Sequence, residues 1–291
     1  MIYRLRHVTA YVYESPVEMA THLLHLLPRP LEGRQRVLRS TLSSDPAPGR
    51  RAEGLDHFGN CAAWLYLDRP HARFAVTADS LVEVTSPPPL PAGTPPWESL
   101  REDALRRPDV AEFLFPSPVL PPVEGARAFF APHFAPGRPA GQAAAEMIAA
   151  FRKTMAFRSG VTTVSTPVEE VLRRKAGVCQ DFAHLMITGL RMLGIPARYV
   201  SGYIRTHPPA GGVRRVGADQ SHAWVAAWLG EQAGWVEMDP TNSLFVEEEH
   251  VVLGWGRDFG DVSPLLGIIL GGGRHSVTVG VDMDEAEPVP G

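Results

Sequence analysis

Hydrophobic and polar positions alternate along the first part of the chain, as they do in strands that bury one face. From Tyr3 to Tyr13 the odd-numbered side chains fall on one face, while Arg4 and Arg6 point to the other. Runs rich in β-branched or aromatic residues predict further strands over residues 36–43, 62–67 and 73–84. The pattern therefore predicts a small antiparallel β-sandwich over residues 1–86.

A proline-rich segment, SPPPLPAGTPPW, follows this region at residues 86–97. Proline has a fixed φ and no backbone N–H, so we expect an extended linker outside any sheet. Between residues 98 and 139, short helical patterns are interrupted by further prolines. We therefore assign residues 87–140 to a linker with a helical collar that carries no site, and residues 141–291 to a second folded unit that ends in a strand.

Apolar residues at helical spacing predict three helices in this second unit. The first begins near residue 141 and buries one face. The second begins at Thr166, where Thr166 and Glu169 form a capping box and Pro167 occupies the first helical position. The third covers residues 179–193 and is stopped by glycine and proline.

Strands return after the third helix. Strand-forming runs are found over residues 197–204, 223–229 and 235–238, and a last alternating run predicts a terminal strand over residues 275–283. Helices followed by a sheet are typical of α+β domains. The predicted fold class is α+β, with an N-terminal antiparallel β-sandwich followed by a core of helices packed on an antiparallel sheet.

Charge and composition narrow the classes of function. With 28 Lys and Arg against 32 Asp and Glu, the formal charge is -4, which gives no overall field for nucleic acid or an anionic membrane. No apolar run approaches the roughly 18 residues of a spanning helix, and the alternating start is unlike a signal peptide. We therefore expect a cytoplasmic protein without nucleic-acid or membrane partners.

The chain contains two cysteines, Cys61 and Cys179, too few for a disulfide framework or a four-thiolate zinc site. Cys179 lies at the predicted start of a helix, where unpaired N–H groups and the helix dipole favour thiolate over thiol. The same N–H groups can stabilise the oxyanion that forms when the sulfur attacks an acyl carbon. A buried structural cysteine is the alternative. Cys61 follows a predicted turn and is expected to be a packing residue.

A nucleophilic cysteine needs a base, and the base needs a group that orients it. Two predicted strands supply His222 and Asp239. If these strands form a hairpin that turns at Gly230 and Glu231, His222 lies directly opposite Asp239, and the two side chains share one face of the sheet. The alternatives are an ordinary sheet histidine and an aspartate that forms the turn at a strand end. The occurrence of His222 and Asp239 together with Cys179 favours the catalytic interpretation.

Three blocks of sequence carry a resemblance to a known family. KAGVCQDFAHLMITGLRMLGIPARYVSGY at residues 175–203 and SHAWVAAWLGEQAGWVEMDPTN at residues 221–242 resemble the core of the transglutaminase-like superfamily. LLPRP and DHFGN in the first unit resemble the bacterial N-terminal domain that accompanies this core. The blocks keep the order and spacing of the family, and the resemblance covers nearly the whole chain. It implies a papain-like core of helices packed on an antiparallel sheet.

The resemblance also implies roles for individual residues and makes residues 141–291 a catalytic core. Cys179 would be the nucleophile, His222 the general base and acid, and Asp239 the group that orients the imidazole. The expected reaction is acyl transfer on amide bonds of a peptide or protein substrate through a thioester. The resemblance leaves the acyl acceptor open, and we favour hydrolysis because the sequence shows no recognisable second pocket for a lysine donor. Amine crosslinking of the transglutaminase type and a non-catalytic peptide-binding module are the alternatives.

Other candidate groups receive structural interpretations. We expect Asp181 to cap the third helix instead of acting in catalysis, and Trp224 and Trp228 to pack in the core instead of forming an aromatic wall. Residues 254–267, rich in glycine and charge, form either a loop at the mouth of the site or an ordinary surface loop. The three glycines at residues 271–273 are predicted to form a flexible turn, because they lack the context of a phosphate-binding loop.

No metal or cofactor is predicted. His22 and His25 are three residues apart, but no carboxylate or third ligand occurs near them at metal-binding spacing. Calcium requires several oxygen ligands at regular spacing in an acidic loop, a pattern that this sequence lacks. The oligomeric state is left open.

Overall fold

The computed structural model describes residues 1–91, 93–206 and 220–287. Its strands are β1 (Ile2–Leu24), β2 (Gln35–Asp45), β3 (Arg50–Leu55), β4 (Cys61–Leu67), β5 (His71–Val84), β6 (Ala156–Phe157), β7 (Ala176–Gly177), β8 (Ala197–Ile204), β9 (Gln220–Trp228), β10 (Trp235–Asp239), β11 (Leu244–Phe245), β12 (His250–Gly256), β13 (Leu265–Gly271) and β14 (His275–Glu285). Its α-helices are α1 (Leu100–Leu105), α2 (Pro108–Ala111), α3 (Glu124–Phe130), α4 (Ala140–Thr154), α5 (Val168–Arg174), α6 (Cys179–Met192) and α7 (Phe259–Val262).

The first sheet is built around the long strand β1. The first half of β1 lies between β5 and β14, and its second half lies between β4 and β13. Strands β2 and β3 pair with β5 and β4 and complete the sheet. Side chains from both halves pack into one buried core, among them Leu24 of β1, Leu65 of β4 and Phe74 of β5. The predicted antiparallel β-sandwich is confirmed, and its strands form one continuous hydrogen-bonded sheet around this core.

The predicted terminal strand exists as β14, and it belongs to this first sheet. It pairs with β1 from Tyr3 opposite Glu285 to Tyr13 opposite His275. The three glycines at residues 271–273 have positive φ, but the predicted turn is wrong, because β13 and β14 run in the same direction along β1 and Gly272 still exchanges backbone hydrogen bonds with Ser15 and Pro16. Alternation identifies a strand and its buried face but does not identify its neighbour, so the sequence placed this strand with the second unit. The predicted domain boundaries themselves stay a prediction.

The second sheet is antiparallel and has the strand order β11-β10-β9-β8-β12. Helix α6 packs on it, and its buried side chains Met186 and Leu190 share a core with Val225 of β9. The helix ends at Met192, and Gly194 follows with a left-handed φ of 83°. The predicted α+β core of helices on an antiparallel sheet is confirmed, whereas β11 and β12 were not predicted.

Helix α5 begins differently from the prediction. Its N-cap is Pro167, and no side chain caps it. The Thr166 hydroxyl instead accepts a hydrogen bond from the Thr163 N–H at 2.8 Å, and the Thr166 N–H donates to the Thr163 carbonyl at 3.0 Å. The predicted capping box between Thr166 and Glu169 is therefore wrong, because the threonine closes the preceding turn.

The two sheets are joined at strand β12. The Gln35 side chain donates to the Val252 carbonyl at 2.7 Å and accepts from the Val252 N–H at 2.8 Å, so it replaces a missing ladder partner on this edge. An apolar cluster that includes Tyr3 and Leu5 of β1 and Leu253 of β12 lies beside this contact. The N-terminal sheet therefore fixes the position of β12 within the second sheet.

The proline-rich linker and the short helices α1 to α3 connect the sheets. Leu100 of α1 and Phe130 of α3 are buried in the same core as α6, so the collar packs against the second unit. In the part of the chain that the structure describes, no helix has the length and apolar character needed to span a bilayer. The cytoplasmic location stays a prediction.

Candidate active site

Cys179 is the first residue of α6 and is partly buried. The preceding segment is fixed by Asp181, which accepts hydrogen bonds from the Val178 N–H at 2.8 Å and from the Thr162 hydroxyl at 2.6 Å. Gly177 permits this arrangement, because a Cβ atom there would lie 2.7 Å from Asp181 Oδ2. The predicted capping role of Asp181 is confirmed, and the cap holds the backbone next to the sulfur.

Replacing Asp181 with alanine tests this cap. We expect the free energy of unfolding to fall by about 2 kcal/mol, because the Val178 N–H and the Thr162 hydroxyl both lose their acceptor. Urea unfolding at neutral pH measures the change. Asp181→Asn keeps one acceptor oxygen and should cost less than the alanine variant. Equal stability of Asp181→Ala and the wild type would contradict the assignment.

Asp239 of β10 is fully buried and is surrounded by donors. Its Oδ1 accepts from the N–H groups of Thr241 at 2.9 Å and Asn242 at 3.2 Å. Its Oδ2 lies 2.7 Å from His222 Nε2, 2.6 Å from the Asn242 side-chain nitrogen and 3.2 Å from His250 Nε2. Burial alone would raise the pKa of Asp239, but the hydrogen bonds from His222 and His250 hold it well below its usual range. The carboxyl group is therefore an anion.

The hairpin that brings His222 to Asp239 differs in register from the prediction. Val225 pairs with Met238, so Asp239 lies two residues away from the position directly opposite His222. The predicted register is wrong because the turn is longer than two residues and is closed by the Gly234 N–H, which donates to the carbonyl of residue 230 at 2.8 Å. A shift by two residues keeps every side chain on its face, so His222 and Asp239 still meet.

His222 of β9 is buried between Asp239 and Cys179. Its Nε2 atom is engaged with Asp239, so Nδ1 is the ring nitrogen left for the hydrogen-bonding contact with Cys179. Burial alone would lower the pKa of His222, but the hydrogen bonds with Asp239 and Cys179 raise it to about 9. The ring is therefore an imidazolium at neutral pH. The structure thus brings together the three residues that the sequence selected.

The raised pKa of His222 predicts how stability depends on pH. Because the folded value of about 9 lies above the ordinary value of 6.5, the stabilisation is complete below about pH 6.5 and is lost as pH rises through about 9. We expect the free energy of unfolding, measured in urea from pH 6 to pH 10, to decline across this window. His222→Gln should show a flatter profile. A wild-type profile no steeper than that of this variant would contradict the prediction.

His250 of β12 is a site residue that the sequence did not predict. The apolar run of residues 251–253 could have indicated the strand, but nothing in the sequence pairs His250 with Asp239. Among the described residues, His222, Asp239 and His250 form a group of metal-ligand type, with ligand atoms all within 4.8 Å of one another. The Nε2 atoms of His222 and His250 both hydrogen-bond to Asp239 Oδ2 already, and Asn242 donates to the same oxygen. The expectation of no metal cofactor stays a prediction.

The two tryptophans near the site are core residues, as predicted. Trp224 is 0% exposed, and its Nε1 donates to Glu237 Oε2 at 2.6 Å. Glu237 in turn pairs with Arg34 of the N-terminal unit. Trp228 is buried as well, against Trp235.

The segment 254–267 is not a loop, so both predicted interpretations are wrong. It contains the end of β12, the short helix α7 and the start of β13. Arg257 donates its Nε to Asp261 Oδ2 at 2.9 Å, and the Asp258 side chain caps α7 by accepting from the Gly260 N–H at 2.7 Å. The charged residues of this segment therefore hold local structure together.

Cys61 and the histidine pair lie in the N-terminal unit, outside the candidate site. Cys61 is partly buried on β4, and burial raises the pKa of its thiol. His22 stacks on Phe74 at 4.3 Å between ring centroids, and burial lowers its pKa to about 4. His25 Nε2 lies 3.3 Å from Asp56 Oδ2, a carboxylate that sequence spacing had not indicated.

Comparison with known proteins identifies the family of this chain. A family model described as the transglutaminase-like superfamily matches residues 130–240, and one described as the bacterial transglutaminase-like N-terminal region matches residues 3–83. An uncharacterized protein of Mycobacterium tuberculosis strain H37Rv is 40% identical over 291 residues, covering 97% of this chain and 92% of that protein. The chain belongs to the transglutaminase-like superfamily. The matched core contains Cys179, His222 and Asp239, whereas His250 lies beyond it.

Two further relatives bear on this transglutaminase-like chain. A crystal structure of a candidate cysteine protease from Cytophaga hutchinsonii has a TM-score of 0.74 and 21% identity, and covers 100% of this chain and 93% of that chain. This likeness shows the fold. A protein-glutamine gamma-glutamyltransferase of Pseudomonas aeruginosa is 44% identical over 74 residues, 25% of this chain and 11% of that protein.

Proposed function

We propose that this transglutaminase-like protein is a cysteine-dependent enzyme that acts on amide bonds of peptides or isopeptides through a thioester, with hydrolysis as the main outcome. One observation carries the proposal. A sulfur at the start of a helix contacts an imidazolium, and a buried carboxylate holds that ring at 2.7 Å from its other side. Nucleophile, proton carrier and orienting group are therefore in mutual contact, which is the arrangement that nucleophilic catalysis by cysteine requires.

The first half of the proposed reaction is acylation of Cys179. The sulfur of Cys179, as its thiolate, attacks the carbonyl carbon of the substrate amide while the imidazolium of His222 lies beside it. The C–S bond forms, and the electron pair of the carbonyl moves to its oxygen. When the intermediate collapses, the C–N bond breaks, and the Nδ1 proton of His222 passes to the leaving nitrogen. A thioester on Cys179 and a neutral imidazole remain.

The second half returns the enzyme to its starting state. Neutral His222 accepts a proton from water, the oxygen attacks the thioester, and the C–S bond breaks to release a carboxylic acid. Asp239 stabilises each cationic form of the ring by its charge and fixes the tautomer by its hydrogen bond. The N–H of Cys179 at the helix start is positioned to stabilise the oxyanion, because the first N–H groups of a helix have no partner within the helix.

Amine transfer is the second candidate. The Pseudomonas aeruginosa relative carries the name protein-glutamine gamma-glutamyltransferase, and its matched segment supports the same thioester with an amine as acceptor. The candidate cysteine protease with the same fold supports hydrolysis, in which water is the acceptor. Both reactions share acylation of Cys179, so they differ only in the second half.

A peptide panel with and without a primary amine tests the proposal. Glutamine-containing peptides and lysine isopeptides are incubated with the protein, and mass spectrometry follows released acid, amine adducts and a thioester on Cys179. We expect hydrolysis products and a thioester that disappears in Cys179→Ala and persists in Cys61→Ala. Amine adducts exceeding hydrolysis would reverse the order of the two candidates. Peptides that bind but are recovered intact, with Cys179 reacting like an ordinary thiol, would support the non-catalytic binding module instead.

A further inference from the structure

His250 shares one carboxylate oxygen with His222. Asp239 Oδ2 lies 2.7 Å from His222 Nε2 and 3.2 Å from His250 Nε2, and the Asn242 side chain donates to the same atom. With the two backbone N–H groups on Oδ1, the carboxylate accepts more hydrogen bonds than the roughly four lone-pair sites of its two oxygens. The two imidazoles therefore compete for the charge of Asp239.

Burying the side chain of His250 costs free energy of folding. Its side chain is buried, and its Nδ1 atom has no hydrogen-bond partner among the residues that the structure describes. The ring packs edge-on against Trp224 at 5.2 Å between centroids. Strand β12 is held from the N-terminal unit by the contact of Gln35 with Val252, so the ring cannot easily leave Asp239. A buried imidazole with one nitrogen unsatisfied calls for an explanation beyond packing.

We infer that His250 is a positioning residue that fixes Asp239 and limits how strongly Asp239 stabilises the imidazolium form of His222. The inference rests on the proposed function, in which the imidazolium of His222 must release its Nδ1 proton to the leaving nitrogen. Each donor on a carboxylate withdraws part of its negative charge from the other donors. Without the His250 donor, Asp239 would hold the imidazolium of His222 more tightly, and proton transfer would become slower.

Other charged groups near His250 also contribute to the electrostatic potential at its ring. Arg205, Glu247 and Glu249 line the same cavity as His250, and they include both signs of charge. Within the described part of the chain, the titratable side chains recorded against its ring are Asp239 on β10, at 3.2 Å from Nε2, and His222 on β9, at 6.1 Å between ring centroids. Because Asp239 is the group that both imidazoles touch, it is the route by which His250 acts on His222.

The test compares two replacements of His250. His250→Phe keeps an aromatic ring but removes the donor, whereas His250→Gln keeps a nitrogen donor near the position of Nε2. We expect the pKa of His222, followed by NMR of labelled histidine rings, to rise by about half a unit in His250→Phe and to stay at the wild-type value in His250→Gln. We expect kcat to fall about threefold to tenfold in His250→Phe with little change in KM, and to recover in His250→Gln.

A matched control replaces a buried histidine elsewhere. His7 is also buried and hydrogen-bonded, to Thr9 at 2.8 Å and to Tyr203 at 2.9 Å, and His7→Phe should leave the titration of His222 unchanged. If the phenyl ring of His250→Phe prevents folding, the smaller His250→Leu makes the same comparison with His250→Gln.

The titration of His222 separates failure of this inference from failure of the proposed function, because it needs no turnover. A wild-type protein without activity would refute the proposed function and leave the NMR comparison intact. Identical His222 titration in the wild type and His250→Phe would overturn the role of His250, as would an equal shift in His250→Phe and His250→Gln.

Discussion

Replacing Cys179 with alanine should abolish turnover while the protein stays folded. The expected loss in kcat is at least about 10⁴-fold, because the variant has no atom that can form the thioester. The sulfur is partly buried at the edge of the core, so the free energy of unfolding should change by only about 1 kcal/mol. Steady-state rates on a cleaved peptide and urea unfolding measure the two quantities.

The second cysteine provides the control for this variant. Cys61 lies on β4 of the N-terminal sheet, and its thiol pKa is raised by burial, so Cys61→Ala should retain full activity. Iodoacetamide should label Cys179 faster than Cys61 at neutral pH for the same reason. Undiminished turnover in Cys179→Ala would remove the basis of the proposed mechanism.

Replacing Asp239 with asparagine should lower kcat by about 10³-fold to 10⁴-fold. The amide carries no charge, so it cannot stabilise the imidazolium, and its nitrogen can hold the ring in the wrong tautomer. The charge of Asp239 contributes to raising the pKa of His222 to about 9, so the alkaline limit of activity should move to lower pH. The pH dependence of kcat/KM from pH 5 to pH 10 measures this shift.

A second buried aspartate separates this effect from a general loss of stability. Asp258 is buried and caps α7 by accepting from the Gly260 N–H, and Asp258→Asn should leave the alkaline limit unchanged. An alkaline limit in Asp239→Asn equal to that of the wild type would show that the carboxylate does not control the charge of His222. Full activity in the same variant would exclude an orienting role altogether.

The helix that starts at Cys179 was predictable because its signals are local. Apolar spacing defines its buried face, and Gly194 defines its end. The meeting of His222 and Asp239 was also predictable, although the register was not. Turn length decides register, and the sequence does not reveal that residues 230–234 form a longer turn. The two side chains still lie on the same face of the sheet, because the true register differs from the predicted one by two residues, an even number.

The role of β12 was not predictable, because it depends on contacts between distant parts of the chain. His250 reaches Asp239 only because β12 joins the edge of the sheet beside β8. The free edge of β12 is bonded by the side chain of Gln35, which lies 217 residues before Val252 in the sequence. Local patterns report the face of a strand, whereas its neighbours are set by the packing of the whole chain.

The pairing of β1 with β13 and β14 has a consequence for biosynthesis. Strand β1 leaves the ribosome long before β13 and β14, so one of its edges is covered only when residues 265–285 have been made. Until then, that edge offers open hydrogen-bonding groups to any neighbouring nascent chain. Ribosomes that stall or terminate before residue 265 would therefore release a product prone to aggregation, whereas synthesis through residue 285 covers the open edge of β1.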